Sequence, residues 1–252
     1  MGDIIAIANQ KGGVGKTTTA VNLSACLAAA GRRVLLVDLD PQGNATSGLG
    51  IDKNAVTHSL YDALVDDVPL RDIIAPTLME NLGIVPSNKQ LAGANVELVE
   101  MEEREHRLRR SLHEIKESYD YIFVDCPPSL GLITLNGLVA ATGVMIPLQC
   151  EYYALEGLSE LLQTIKLVRD GLNPALQLHG VLLTMYQHTN LSEQVVADVR
   201  THLGEKVYET VIPRNVTLSE APSFGKPIIF YDLKSAGARA YLALAREMVS
   251  RA

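Results

Sequence analysis

Tryptophan is absent from this 252-residue chain, and aromatic residues make up only 5% of it. Large rings cannot fill the interior, so Val, Ile, Leu and Ala must do so, as suits a parallel sheet covered by helices on both faces. Cysteine is scarce too. Cys26, Cys126 and Cys150 lie far apart and form no C-x-x-C pair, which argues against a zinc site, a thioredoxin-like motif or a disulfide framework. Reduced thiols in the cytosol are the expectation. No apolar run approaches the ~20 residues of a membrane span. The start, Met1-Gly2-Asp3, carries an early acid and runs straight into an apolar strand, unlike a secretion signal. Basic charge is outnumbered: 22 Lys and Arg stand against 29 Asp and Glu, a formal net charge of −7. Any contact with nucleic acid would therefore need a local basic patch. Repeats, low-complexity tracts and Pro/Gly/Ser linkers are also missing, so one domain over residues 1–252 is expected.

What the chain does contain is a rhythm. Short apolar runs at Ile4–Ala8, Val34–Asp38, Leu82–Val85, Tyr121–Asp125, Val144–Leu148, Val181–Met185 and Val207–Ile212 read as strands, with helical patterns between them. The segment Thr17–Ala30 is apolar nearly all round and predicts a buried helix closed by Gly31. Glu97–Lys116 is charged, but Leu98, Met101, Leu108, Leu112 and Ile115 keep helical spacing, which predicts one surface helix with a docked face. Alternating strands and helices imply right-handed crossovers and a doubly wound, mostly parallel α/β sheet.

The first strand leads into Lys11-Gly12-Gly13-Val14-Gly15-Lys16-Thr17-Thr18, and a helix follows. That context makes the string a phosphate-binding P-loop. Glycines let backbone N–H groups converge on phosphate oxygens, and the helix N-terminus adds partial positive charge. Lys16 would reach the β- and γ-phosphates of a nucleotide, and the Thr17 hydroxyl would ligate Mg²⁺. A glycine-rich turn with an incidental lysine is the plain alternative. Lys11, at the start of the loop, is too far from Lys16 to duplicate its role.

Two further strands end in acids. Val34-Leu35-Leu36-Val37 is followed by Asp38 and Asp40, and Tyr121-Ile122-Phe123-Val124 by Asp125. Ligands of doubly wound sheets bind at the carboxyl ends of strands, so these acids belong near the P-loop. Asp125 reads as the Walker B acid, holding Mg²⁺ through water. Pro127 and Pro128 stiffen a loop placed to sense the γ-phosphate, and Cys126 reads as a small buried filler. Asp38 or Asp40 could instead cap the following turn.

The string from Lys11 to Thr18 resembles the deviant Walker A motif of the ParA/MinD family of ATPases. Asp40–Ser47 is similar to the ParA/Soj switch region. Glu151-Tyr152-Tyr153-Ala154-Leu155-Glu156-Gly157, Val211–Val216 and Ser219–Ser223 are similar to its later signatures, so the resemblance covers nearly the whole chain. It implies ATP and Mg²⁺ as ligands, slow hydrolysis, and an ATP-dependent sandwich homodimer in which Lys11 reaches the partner's nucleotide. It also implies that Asp40 orients or activates the attacking water and that Asp38 supports the Mg²⁺ shell or the P-loop. Pro213 and Asn215 would lie beside the adenine. The ATP dimer would bind double-stranded DNA nonspecifically, at the nucleoid. A ParB-type partner with a short basic segment would stimulate hydrolysis, and the outcome would be DNA segregation. Arginines used for DNA in such relatives fall at His188 and Thr217 here; DNA binding could instead use Arg200, Lys206, Lys226, Lys234 or Arg239, with ordinary solvated surface the plain alternative for each. A MinD-type ATPase positioned on a membrane or protein cargo is the competing reading. The stripe Tyr241, Leu242, Ala245, Met248 and Val249 fits a docked core helix better than an anchor. An iron–sulfur carrier of the nitrogenase iron-protein type would need paired cysteine ligands that the sequence does not offer.

Overall fold

A computed structural model describes residues 2–151 and 154–251. Tyr152 and Tyr153, within one of the signature segments, lie outside the described residues. Among the described residues, seven strands form one sheet: β1 (Asp3–Ile7), β2 (Val34–Asp38), β3 (Ala75–Pro76), β4 (Leu82–Val85), β5 (Tyr121–Asp125), β6 (Gly143–Gln149) and β7 (Gln177–Thr184). Their order is β3-β4-β2-β5-β1-β6-β7. All pairs are parallel except β3 with β4.

Alternation along each strand divides the core in two. Ile4 and Ala6 pack on one face with the helices Leu132–Ala140 and Ala154–Gly171. Ile5 and Ile7 pack on the other with the helices Lys16–Ala29 and Ala236–Arg251. Both faces are covered, which is why the strands read as continuous apolar runs. From β1 the chain crosses to β2 on one side, and from β5 it crosses to β6 on the other. The strand order therefore reverses around β5 and β1, and a ligand crevice opens above their carboxyl ends.

Three expected strands, Val34–Asp38, Leu82–Val85 and Tyr121–Asp125, match to the residue. The expected C-terminal helical stripe is docked: Tyr241, Ala245 and Met248 are buried, Leu242 and Val249 pack against the same cluster, and the Tyr241 hydroxyl lies 3.1 Å from that of Thr19. No helix among the described residues is long and apolar enough to cross a membrane.

Two expectations need correction. Val207–Ile212 is not a strand. It bonds to β7 near its two ends: Val207 bridges Val181, the Tyr208 amide donates to the Val181 carbonyl at 2.9 Å with its hydroxyl 2.7 Å from His179 Nδ1, and the Ile212 amide donates to the Leu183 carbonyl at 2.9 Å. Between these points the Glu247 carboxylate takes the amides of Glu209 (2.7 Å) and Thr210 (2.9 Å), drawing the segment away from the sheet edge toward the last helix. Glu247 also holds Arg251 at 2.6 Å. Glu247→Ala leaves the Glu209 and Thr210 amides without their acceptor and removes one of the partners of Arg251, so it is expected to lower stability by about 1–3 kcal/mol. Thermal denaturation checks this, with each kcal/mol worth about 2–4 °C in a domain of this size.

The second correction concerns Glu97–Lys116, which is broken. A helix, Leu91–Glu97, and a 3-10 turn, Leu98–Glu100, end in extended backbone at Met101, and a new helix runs over Arg107–His113. Glu103 sits in the left-handed region at φ +49°. Buried Asn136 makes the break tolerable by accepting from the Leu108 amide (3.1 Å) and donating to the Arg104 carbonyl (2.7 Å). Arg107 points inward and donates to the Leu64 carbonyl at 2.7 Å. The apolar spacing is therefore satisfied by two short segments rather than one helix.

Candidate functional site

The phosphate loop rises from the end of β1 and turns into the Lys16–Ala29 helix. Gly13 (φ +75°) and Gly15 (φ +91°) both adopt left-handed backbone, which glycine enters without a Cβ penalty. Gly15 is the N-cap of the helix, so the first helical amides face the space enclosed by the loop. Two long-range hydrogen bonds fix the loop on the sheet. Asn9 Nδ2 donates to the Pro147 carbonyl at 2.7 Å, and the Thr184 hydroxyl donates to the Val14 carbonyl at 2.8 Å. Neither anchor is recognisable from a local motif, because each partner is far away in sequence.

Lys16 is buried, with Nζ 3.1 Å from the Lys11 carbonyl. Burial lowers its proton affinity, and the negative charge of Asp125, then that of Asp40, opposes that shift. The acids expected near the loop are thus electrostatically within reach of it. Thr17 and Thr18 follow on the first turn, half-buried. Gly12 is exposed at the outer rim.

Asp38 and Asp125 are register partners at the ends of adjacent strands, and both are fully buried. Their surroundings differ. Asp38 Oδ2 accepts from the Thr46 amide (2.8 Å) and hydroxyl (2.7 Å), and Oδ1 accepts from the Asp40 amide (3.2 Å). The Thr46 hydroxyl in turn accepts from the Ser87 amide at 2.9 Å. Asp38 therefore organises the segment after β2. Burial raises its pKa against the pull of these donors. Among the described residues, neither Asp125 carboxylate oxygen finds a hydrogen-bond donor. Its pKa is pushed well up by burial and then by the Asp38 charge, while the nearby Thr17 side chain opposes the shift without completing a hydrogen bond of normal geometry.

A buried, unpartnered carboxylate beside a threonine and a lysine is costly unless a cation or its water shell comes to it. Among the described residues no three His, Cys, Asp or Glu side chains cluster as a metal cage. That suits magnesium, which keeps its waters and takes one or two carboxylates together with phosphate oxygens. The residues present therefore fit a hydrated Mg²⁺ held on a nucleotide. Asp40 makes a tight turn in which Oδ1 accepts from the Gln42 amide at 2.9 Å. Its Oδ2 has no protein partner among the described residues.

Beside the loop lies a cavity of about 190 Å³, lined by Gly15, Thr18, Met185, Pro213, Asn215 and Tyr241 among others. It brings the predicted base contacts Pro213 and Asn215 next to the P-loop. The Asn215 side-chain oxygen caps the Val216–Glu220 helix by accepting from the Leu218 amide at 3.2 Å and from the Thr217 hydroxyl. Its amide nitrogen is left facing no protein acceptor among the described residues. Met185, with φ +52°, carries the chain off β7 into this cavity.

The surface residues are more dispersed. His188 is exposed and sits edge-on to Tyr186 at 5.2 Å, and Thr217 is tied to Asn215. Arg200 donates to the Glu209 carbonyl at 3.1 Å, and Lys206 lies on the adjoining turn Gly204–Lys206. Arg239 donates to the Lys234 carbonyl at 2.7 Å, so these two basic residues adjoin. Lys226 is exposed. The three cysteines are buried and free, and burial raises the Cys126 thiol pKa.

A family model described as an AAA domain matches residues 2–178. The sporulation initiation inhibitor protein Soj of Bacillus subtilis is 62% identical over 251 residues, covering 99% of each chain. The chromosome partitioning protein ParA of Myxococcus xanthus is 58% identical over 252 residues, covering 100% of this chain and 89% of that protein. Among solved structures, a cobyrinic acid a,c-diamide synthase from Mycobacterium smegmatis with bound ATP analogue and magnesium superposes with a TM-score of 0.87 at 40% identity, covering 100% of this chain and 96% of that one. A deviant phosphate loop, strand-end acids at the sheet crevice and full-length identity of this order lead to one conclusion: the chain belongs to the ParA/Soj family of chromosome-partitioning P-loop ATPases.

Proposed function

We propose that residues 1–252 act as one ATPase domain, a switch that binds ATP and Mg²⁺, dimerises, and converts ATP and water slowly to ADP and phosphate in DNA segregation. The observation that carries this reading is Asp125, whose two buried oxygens find no hydrogen-bond donor among the described residues, beneath the loop that holds Lys16 and Thr17. Bound Mg²⁺ would supply charge neutralisation at the phosphate oxygens. The loop from Gly12 to Thr18 binds the phosphates through its amides, and Lys16 exchanges the Lys11 carbonyl for phosphate oxygen. Thr17 and Asp125 would hold the ion, while Asp38 keeps the Asp40–Thr46 segment in place beside them. Asp40 Oδ2 orients the attacking water. Pro213 and Asn215 flank the base. Lys11 completes the site of the second subunit, as an arginine finger does in other P-loop enzymes.

The ATP dimer binds duplex DNA without sequence preference, and a ParB-type protein with a basic segment accelerates hydrolysis. Since the net charge is −7, DNA contact falls to local groups, with Lys226, Lys234 and Arg239 the favoured set. Size-exclusion chromatography with ATP and with ADP, repeated with random duplex fragments, tests the reading. ATP alone should give a dimer that retains DNA. Changing Lys226, Lys234 and Arg239 to alanine should flatten the log–log salt slope of that binding by about 0.9 for each phosphate left unneutralised. A protein that stays monomeric in ATP and ignores DNA at low salt would sink the proposal.

A further inference from the structure

Lys11 is not free in the single chain. Its Nζ lies 2.6 Å from Glu151 Oε2, with the two side chains 54% and 48% exposed. The other Glu151 oxygen, Oε1, accepts from Gln149 Nε2, so the carboxylate is oriented from both sides. The Lys11 backbone is held as well: its amide donates to Asn9 Oδ1 at 3.0 Å, and its carbonyl accepts from Lys16 Nζ at 3.1 Å. Asn9 is itself anchored on the Pro147 carbonyl. The start of the phosphate loop is thus joined at two points to β6 and the segment leaving it, although Lys11 and Glu151 stand 140 residues apart in sequence.

We infer that Glu151 is a positioning residue that parks Lys11 on its own subunit and so sets the threshold for ATP-driven dimerisation. This rests on the reading of Lys11 as the group delivered to the partner's nucleotide. An ammonium held by Glu151 is directed at its own chain, and closing the dimer exchanges one carboxylate for a more highly charged triphosphate. ADP lacks the γ-phosphate and competes less well for the lysine. The latch therefore favours the monomer until ATP is bound on both sides. A two-fold dimer has to open two such pairs. Exposed ion pairs are individually weak, so removing both latches should tighten dimerisation by about 2- to 30-fold.

The test is analytical ultracentrifugation of full-length wild type, Glu151→Gln, Glu151→Asp and Lys11→Ala in saturating ATP and Mg²⁺. Glu151→Gln should dimerise more tightly by the stated factor, with the gain shrinking in 1 M salt, where the Debye length is about 3 Å. Glu151→Asp, which keeps the charge, should fall back toward wild type. ADP affinity of the monomer, read by fluorescent nucleotide displacement, should be unchanged in both Glu151 variants. Equal or weaker dimerisation of Glu151→Gln, alongside a monomeric Lys11→Ala, overturns the latch and leaves the role of Lys11 intact. Gln and Asp variants that behave alike also overturn it, because charge would then not be the cause. Wild-type dimerisation by Lys11→Ala defeats the underlying reading of Lys11 instead.

Discussion

Replacing Asp40 with alanine is expected to slow ATP hydrolysis by at least ~100-fold, the usual scale for a group that handles the attacking water, while ATP binding and ATP-dependent dimerisation persist. The separation follows from how the loop is built. Asp40 Oδ1 accepts only the Gln42 amide, at 2.9 Å, and losing that bond costs about 0.5–1.5 kcal/mol. The surrounding segment is held by other groups, since Asp38 takes the Asp40 and Thr46 amides and the Thr46 hydroxyl ties in Ser87. None of these bonds uses the Asp40 side chain. The variant should therefore accumulate as an ATP dimer and stay longer on DNA. Single-turnover phosphate release, paired with size-exclusion chromatography in ATP, reads both properties. Hydrolysis within threefold of wild type would remove Asp40 from the reaction.

Asp125→Asn is expected to act in opposite directions on stability and activity. The folded-state pKa of Asp125 lies well above its ordinary value because burial and then the Asp38 charge disfavour the carboxylate. A group raised in this way contributes stability that is fully present below the unfolded pKa, about 3.9, and is lost as pH rises through the folded value. The nucleotide-free wild type therefore weakens through this residue as pH rises above about 4, and an asparagine, which does not titrate, escapes that loss. The two proteins should melt alike near pH 4. By pH 7–8 the variant should be more stable by about 1 kcal/mol or more, or about 2–4 °C in Tm. Adding ATP and Mg²⁺ should reverse the order, because wild type gains binding free energy that the variant lacks. Hydrolysis by the variant should fall by at least ~100-fold, the scale for removing a group that stabilises transition-state charge. Calorimetry from pH 4 to pH 8, with and without nucleotide, checks the pattern. A wild type that is the more stable of the two at pH 8 without nucleotide would contradict it.

The two acids at the crevice also mark how far reading the chain could go. Val34–Asp38 and Tyr121–Asp125 were legible as strands because a doubly covered sheet demands uninterrupted apolar residues, and the acid that ends each run stands out against them. Their different surroundings were not legible. Asp38 meets Thr46 and Asp125 meets no donor, and nothing in the local pattern around either acid distinguishes them. Val207–Ile212 has the composition of a strand, yet the amides of Glu209 and Thr210 at its centre are claimed by Glu247 on the last helix, a choice made between elements far apart in the chain. The short antiparallel edge Ala75–Pro76 is two residues long and leaves no periodicity to detect.

By itself, the sequence determined the sheet class, the phosphate loop with Lys16 and Thr17, and the strand-end positions of Asp38 and Asp125. Each depends on contiguous residues whose backbone preferences and apolar periodicity are local properties. Only the tertiary structure decided which acid is satisfied and which is bare, that Pro213 and Asn215 line a cavity beside Gly15, and that Lys11 rests on Glu151. These depend on hydrogen bonds and charges between groups that the chain brings together only after the sheet has been assembled, and pair interactions of that kind leave no periodic trace along the sequence.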